Sequence, residues 1–232
     1  MGKHGQYGAL VALLLAGPAA AECRLALALG FDVSRSVDAR DYEIQRDGLI
    51  AALQAPEIRD AFLAPPDHVT FALYEWSGQK DQRVIVPWTR VMGPDDLDRI
   101  VATLLAHERG PERQATALGR ALTFGRGVLA EAEPCATRTL DISGDGQNND
   151  GPSPARTYAT VDFDGITVNG LAIGDHERGI FDYYEREVIS GPGAFVVASP
   201  AQSDFPRAIR RKLEKELSVR LLGSLPGTER GG

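Results

Sequence analysis

The sequence has few of the residues that most often carry catalysis or transition-metal binding. Its 232 residues include only two cysteines and four histidines. Three of the histidines, His68, His107 and His176, are scattered without the spacing of metal ligands, which gives a zinc site no support. No Gly-x-Ser-x-Gly string occurs, so the sequence lacks the nucleophile elbow of an α/β-hydrolase.

Positive charge and long hydrophobic segments are also scarce. The chain has 25 Lys and Arg against 32 Asp and Glu, a net charge of -7, and a pI near 5.2. Such an acidic surface disfavours a nucleic acid or an anionic membrane as a partner. No apolar run is long enough to span a bilayer, so we predict no transmembrane segment.

The basic residues concentrate near the C-terminus, in a predicted amphipathic helix at 204–217. They alternate there with acidic residues, which is more typical of a solvated helix face than of a binding patch. We therefore predict an exposed face made of Arg207, Arg210, Arg211, Lys212, Glu214, Lys215 and Glu216.

The N-terminal residues 1–21 have the pattern of a signal peptide. Lys3 and His4 supply a basic start, residues 8–17 form a short apolar core, and residues 19–21 are the small residues of a cleavage site. The mature chain is expected to begin at Glu22 and to be exported, to the periplasm or the cell exterior. Lipidation of Cys23 is the alternative, but Glu22 stands where a lipobox has a small residue.

Strands and helices alternate along the rest of the chain. Hydrophobic periodicity predicts strands at 25–31, 69–76, 83–88, 139–143, 166–173 and 194–198, and helices at 37–54, 94–107, from 118, 154–161, 180–189 and 204–217. The short link at 77–81 predicts a hairpin and hence one antiparallel edge strand. The expected fold is α/β: a doubly wound, mostly parallel six-stranded sheet with helices on both faces, at 22–220, followed by a flexible tail at 221–232.

A group of oxygen donors follows the first strand. Asp32, Ser34 and Ser36 come directly after the apolar run at 25–31, which is typical of a strand buried on both faces. Ligands of open α/β sheets collect at the carboxyl ends of such strands, and a carboxylate with two hydroxyls suits a hard cation. The alternative is a cap for the next helix.

The two cysteines stand at matching distances before two predicted strand ends. Cys23 lies nine positions before Asp32, and Cys135 lies ten before Asp145. If the two strands are parallel neighbours, both sulfurs lie at one end of the sheet, in a compartment where disulfides persist. We predict a disulfide between Cys23 and Cys135; two separate thiols are the alternative.

Two further loops carry residues that belong with the first group. Thr116 precedes a predicted helix, and Gly144-Asp145-Gly146 follows an apolar strand. Together with Asp32-x-Ser34-x-Ser36, this order resembles the metal-ion-dependent adhesion site of von Willebrand factor A domains, over essentially the whole mature chain. Shorter strings such as Glu75-Trp76-Ser77-Gly78 and Gly191-Pro192-Gly193-Ala194-Phe195 resemble a bacterial exported family of uncharacterised function built on that domain.

The resemblance implies a site and an activity. Ser34, Ser36 and Thr116 would bind Mg²⁺ or Mn²⁺ directly, and Asp32 and Asp145 would hold coordinated waters. An Asp or Glu of a protein partner would then complete the coordination. The expected function is an exported, non-catalytic interaction module; the alternatives are a metal-dependent hydrolase of an envelope substrate and a structural domain that binds no ion.

Two residues depart from what such a site usually contains. Arg35 stands where glycine is frequent, and it could either help to hold an acidic ligand or partly block the ion. Asp141 lies within a central strand, where an unpaired carboxylate is costly. It either supports the metal site from behind or pairs with a nearby donor such as Arg138 or a backbone amide.

Overall fold

The computed structural model describes residues 22–109, 115–174 and 177–218, so the predicted signal peptide and the C-terminal tail lie outside the described residues. The strands and helices alternate along these ranges as the periodicity predicts. Their bounds are β1 Cys23–Asp32, α1 Ala39–Gln54, α2 Pro56–Leu63, β2 His68–Trp76, β3 Gln82–Val91, α3 Pro94–Ala106, α4 Leu118–Ala130, β4 Arg138–Gly144, α5 Pro154–Thr160, β5 Ile166–Ile173, α6 Ile180–Tyr183, β6 Val196–Ser199 and α7 Phe205–Ser218.

The six strands form one sheet in the order β3-β2-β1-β4-β5-β6. Strand β3 runs antiparallel to β2, and the other neighbouring strands are parallel. The doubly wound fold with one antiparallel edge strand, predicted from the sequence, is therefore confirmed. Because β1 and β4 are adjacent and parallel, their carboxyl ends lie side by side at one edge of the sheet.

Helices cover both faces of the sheet. Alternate residues of β1, from Leu25 to Phe31, pack in a cluster with α1, α2, α3 and α7, while Ala26 and Ala28 pack in a second cluster with α4 and α6. This division follows from the alternation of side chains along a strand. Helix α4 lies very close to the sheet, since a Cβ atom at Gly125 would be 2.4 Å from Leu140 Cδ1.

Two local elements differ from the sequence prediction. Helix α2 was not predicted, because it is one short amphipathic segment with only Ile58 and Phe62 buried. The helix predicted at 180–189 is an α-helical turn that continues as a π-helix, Tyr184–Val188. This wider turn buries both Tyr184 and Val188.

The disulfide partners lie at the amino end of the sheet. Cys23 and Cys135 are joined, with their Cα atoms 4.5 Å apart. The backbone amide of Ala136 also donates to the Cys23 carbonyl at 2.8 Å. The start of β1 is thereby tied to the segment that leads into β4. In the described ranges no helix is both long enough and apolar enough to cross a membrane.

The predicted solvated face of the C-terminal amphipathic helix is wrong for two of its charged residues. Lys212 and Glu216 lie on the buried side of α7, with relative exposures of 0% and 6%. Lys212 Nζ lies 3.1 Å from Asp141 Oδ1 and 3.1 Å from Glu216 Oε1. Asn169 completes the cluster by donating to Glu216 Oε1 at 2.7 Å. The other charged residues of the predicted face are exposed.

The buried cluster also shows what the carboxylate of Asp141 pairs with. Its carboxylate pairs with Lys212, and Arg138 donates instead to the Asp164 carbonyl at 3.4 Å. Asp141 is in register with Leu29, whose side chain packs on the α7 side of the sheet. Asp141 therefore anchors the last helix, and neither interpretation offered from the sequence named this partner.

The cluster predicts a specific dependence of stability on pH. Burial raises the pKa of Asp141 to about 7 from its usual value of 3.8; the charge of Lys212 opposes this shift and that of Glu216 reinforces it. Between these values the native state binds more protons than the unfolded state, so the free energy of unfolding falls as pH rises. Asp141→Asn should abolish this loss of stability at higher pH, because the ammonium of Lys212 then faces only the carboxylate of Glu216.

Denaturant unfolding of both proteins at pH 5 and pH 7.5 measures the effect. We expect the variant to gain about 1–2 kcal/mol relative to the parent protein over this interval. If the stabilities of the two proteins changed with pH in the same way, the pH dependence would not come from Asp141.

Candidate metal centre

Three loops bring the predicted site residues to the carboxyl edge of the sheet. Asp32 is the last residue of β1, and Asp145 directly follows β4. Thr116 stands two positions before α4. The N-cap residue of that helix, Ala117, is held by its backbone amide, which donates to the Ser77 carbonyl at 2.9 Å. The sheet order makes β1 and β4 neighbours, so the loops that follow them meet.

The side chains of these loops are in direct contact. Ser34 Oγ lies 3.2 Å from Ser36 Oγ and accepts from Thr116 Oγ1 at 3.3 Å. Ser36 Oγ donates to Asp145 Oδ1 at 2.6 Å. Asp32 Oδ1 accepts from the backbone amide of Ser34 at 2.7 Å, which fixes the turn after β1. All the predicted ligands therefore lie in one contiguous cluster.

The cluster is closed on most sides. Asp32, Ser34, Thr116 and Asp145 are each at most 4% exposed. Ser36 is half-buried and the neighbouring Arg35 is exposed. A ligand from outside would therefore reach the cluster at Ser36, beside the Arg35 side chain.

The electrostatics of the cluster suit a cation. Burial, reinforced by repulsion from Asp145, raises the pKa of Asp32 well above its usual range. Asp32 Oδ2 is buried, and no donor among the described residues meets it in hydrogen-bonding geometry. A cation would offset both the desolvation and the repulsion of the two carboxylates. Three hydroxyls with two carboxylates form an all-oxygen donor set, which fits Mg²⁺ or Mn²⁺.

Two asparagines of the loop after β4, Asn148 and Asn149, connect this loop to the start of α4. The amide of Thr116 donates to Asn149 Oδ1 at 2.9 Å, and the amide of Asn149 donates back to the Thr116 carbonyl at 2.9 Å. Asn148 Oδ1 accepts from the amide of Gly119 at 3.3 Å. The loop after β4 thereby holds the start of α4 and fixes Thr116 against the serines.

Arg109 supports the site in a way that the sequence did not reveal. Its guanidinium donates to the carbonyls of Val33 at 3.4 Å, of Ser34 at 3.5 Å and of Val37, and it lies over the Tyr42 ring, 5.8 Å from the centroid. These contacts hold the backbone that carries Ser34 and Ser36. Arg109 lies in a polar loop without periodicity, so no sequence signal pointed to it.

A buried carboxylate next to the site organises the elements around α1. Glu75, near the end of β2, accepts from Tyr42 Oη at 2.9 Å. Its oxygens also lie 2.9 Å from His107 Nε2 and 3.2 Å from an Arg83 nitrogen. His107 is thereby a partner in an ion-pair network, while His176 lies outside the described residues.

A further acidic residue near the site was not predicted. Glu177 Oε2 accepts from the Gln147 amide at 2.7 Å, so its carboxylate lies against the loop after β4. The only sequence signal was its place after a predicted strand, which many loop residues share. The structure therefore adds negative charge to the rim beyond the predicted ligands.

The floor of the site depends on a glycine. A Cβ atom at Gly144 would lie 2.6 Å from Tyr184 Oη, 2.9 Å from Asp32 Oδ2 and 3.2 Å from Trp76 Cζ2. These three buried side chains converge on the backbone of Gly144. Any side chain at this position would push Asp32 or Tyr184 from its place.

Gly144→Ala is expected to displace Asp32 and to destabilise the protein by about 1–3 kcal/mol, the usual cost of overpacking a core. Denaturant unfolding measures the loss, and calorimetric titration with Mg²⁺ measures the expected decrease in affinity. Gly127→Ala is the matched control, because a Cβ atom there meets nothing within 4 Å and the residue is inside α4. Alanine should raise stability there. Equal stability and equal Mg²⁺ affinity of the two variants would contradict the claim that a side chain at Gly144 displaces Asp32.

A second group of potential metal ligands lies at the opposite end of the sheet. One ligand atom each of Cys23, His68 and Glu133 fall within 4.8 Å of one another. The sulfur of Cys23 is held in the disulfide and offers no thiolate. His68 Nε2 instead pairs with Glu133 Oε1 at 3.0 Å, so the contact ties β2 to the loop before β4.

The sheet order and the helices on both faces define the fold as that of a von Willebrand factor A domain. The chain belongs to the family described as "Protein of unknown function (DUF1194)", which matches residues 22–221. No match was found among the curated proteins.

Solved structures share the fold at low sequence identity. Proximal thread matrix protein 1 from the mussel byssus, with a zinc-occupied MIDAS motif, is 17% identical and covers 84% of this chain at a TM-score of 0.61. The von Willebrand factor type A protein from Catenulispora acidiphila is 15% identical, with 84% coverage and a TM-score of 0.58. The pilus adhesin SpaC from Lactobacillus rhamnosus GG is 15% identical, with 84% coverage and a TM-score of 0.57. This chain spans 46%, 43% and 30% of their respective lengths.

Proposed function

We propose that this protein is an exported, non-catalytic interaction module that uses a divalent cation, Mg²⁺ or Mn²⁺, to bind an acidic side chain of a protein partner. The cation would be held by Asp32, Ser34, Ser36, Thr116 and Asp145. The observation that carries the proposal is the contact of three hydroxyls and two carboxylates from three separate loops, including the 2.6 Å hydrogen bond from Ser36 to Asp145.

The hydroxyl groups and the carboxylates of the cluster would have different roles in binding the cation. The hydroxyls of Ser34, Ser36 and Thr116 are neutral donors, while the two buried carboxylates supply the negative charge. A bound divalent cation would offer a Lewis-acidic position that accepts one further carboxylate. The partner's carboxylate would approach the ion past Ser36, which is half-buried, beside the exposed Arg35.

The structural neighbours support an interaction role. They include a matrix protein of the mussel byssus and a pilus adhesin, which also agrees with export of this chain. The zinc in the mussel matrix protein makes Zn²⁺ the appropriate competitor in tests of ion preference. The hard oxygen donors of the cluster suit Mg²⁺ and Mn²⁺ better than a soft metal ion.

Calorimetric titration of metal-stripped protein tests the ion site directly. Mg²⁺ and Mn²⁺ should bind with one site per chain, and Ser34→Ala should weaken binding about tenfold or more. Ser218→Ala is the control, since this serine is exposed and lies at the opposite end of the sheet, next to Leu217, whose carbonyl accepts from Arg24 at the start of β1. Absence of binding to the parent protein, or an equal loss in both variants, would contradict the proposed site.

Capture of partners from a cell-envelope extract tests the second half of the proposal. A specific partner should be retained with Mg²⁺ and lost with a chelator, and Thr116→Val should behave like the chelated protein because it removes one buried hydroxyl without changing shape. Recovery of the same partners under all conditions would count against the role of the cation. Turnover of phosphate or carboxylate esters that disappears in Asp32→Ala would overturn the non-catalytic assignment.

A further inference from the structure

A second site candidate lies along the exposed side of the last helix. A cleft of about 480 Å³ is lined by Pro200, Asp204, Arg207, Arg210 and Arg211, and we call it the α7 cleft. Its volume is within the range of small-molecule sites, about 300–1,000 Å³. The arginines stand at i, i+3 and i+4 of α7, so they lie on one face of the helix.

The charges of the α7 cleft are unequally compensated. Arg207 pairs with Asp204 at the start of the helix, and Arg210 pairs with Glu57 and, at 3.6 Å, with Glu214. Arg211 donates only to the Ala198 carbonyl, at 3.4 Å, and has no carboxylate partner among the described residues. One guanidinium in the cleft is therefore available for an anion.

The existing ion pairs do not close the cleft to a ligand. Arg207 and Arg210 have side-chain exposures of 80% and 50%. Exposed ion pairs of this kind contribute little to stability, so an incoming anion can compete for their donors. A guanidinium group forms bidentate hydrogen bonds with a carboxylate or a phosphate. Several neighbouring guanidinium groups therefore bind a ligand with several neighbouring anionic groups best.

We infer that the α7 cleft binds a compact polyanion, a small molecule with two or more neighbouring phosphate or carboxylate groups, and that Arg211 is its principal contact. The net charge of the whole chain is -7, so general electrostatics would repel such a ligand and binding must come from the local arrangement. The inference is independent of the proposed metal site, because none of the cleft residues belongs to that cluster.

Calorimetric titration of the full-length mature, metal-stripped protein at low ionic strength tests the inference. Pyrophosphate and citrate are the probes for phosphate and carboxylate ligands, and acetate is the monoanionic control. We expect at least one polyanion to bind with measurable heat and acetate to show none. No binding of either polyanion would overturn the inference, whatever the protein does with Mg²⁺.

Variants locate the contact. Arg211→Gln should weaken polyanion binding about tenfold or more, and Arg211→Lys should lose less because it keeps the charge. Arg99→Gln is the matched control, since Arg99 pairs with Asp96 at i,i+3 as Arg207 pairs with Asp204, but outside the cleft. Equal losses in Arg99→Gln and Arg211→Gln, or no loss in Arg211→Gln, would overturn the assignment.

An NMR titration of the parent protein tests the same contact without relying on the folding of a variant. Binding of the polyanion should shift the Nε–Hε resonances of cleft arginines and leave that of Arg99 in place. Uniform shifts of all arginine resonances would indicate diffuse ion binding and would also overturn the inference.

Discussion

Asp145→Asn is expected to weaken Mg²⁺ binding about 10- to 100-fold while raising the stability of the metal-free protein. Supporting groups of a metal site typically contribute that factor to affinity. The gain in stability has a different cause: the substitution removes one of two buried carboxylates that repel each other, a repulsion that contributes to the raised pKa of Asp32. Calorimetric titration measures the first effect, and thermal unfolding in chelator measures the second.

Asp150→Asn is the control for this substitution. Asp150 lies in the same loop, but its carboxylate accepts from Gln79 Nε2 at 2.8 Å. Neither Mg²⁺ affinity nor metal-free stability should change by a comparable amount. An Asp145→Asn protein that binds Mg²⁺ like the parent would remove Asp145 from the proposed set of metal ligands.

Lys212→Met is expected to destabilise the protein by about 3–5 kcal/mol, because it leaves buried carboxylates without their cation. Lys212 is fully buried and lies 3.1 Å from oxygens of both Asp141 and Glu216. Methionine can fill the space of the aliphatic stem, so the loss reports the charge rather than a cavity. Denaturant unfolding at neutral pH measures it.

Two comparisons make this result specific. Lys215→Met removes an exposed ammonium that lies 3.8 Å from the centroid of the Phe195 ring and should change stability by less than about 1 kcal/mol. Adding Asp141→Asn to Lys212→Met should recover part of the loss, since it neutralises one of the stranded carboxylates. Equal effects of the two lysine substitutions would show that α7 is not held by the buried cluster.

Much of the architecture could be predicted from the sequence because it depends on local patterns. The apolar run that ends at Asp32 identifies a central strand, and the short link after Trp76 requires a hairpin. Helix α2 was not predicted, because one short segment with two buried residues gives too little periodicity. Loop residues at strand ends could also be assigned to one edge, since parallel strands place their carboxyl ends together.

The supporting contacts could not be predicted in the same way. Arg109 reaches carbonyl oxygens of the loop after β1 from a segment with no pattern of its own. Asn148 and Asn149 have the composition of any turn, and their role depends on the start of α4 lying opposite. Backbone acceptors and amides occur at every residue, so sequence gives no sign of which of them will be used.

The sequence by itself determined the order of strands and helices, the buried and exposed faces of most elements, and the set of oxygen donors at the sheet edge. Only the tertiary structure decided that Lys212 and Glu216 are buried and that Lys212 is the partner of Asp141. The physical reason is that periodicity describes which way a side chain points along its own element. Whether a charge can be buried depends on an opposite charge from a distant part of the chain, and that partner exists only once α7 packs on the sheet.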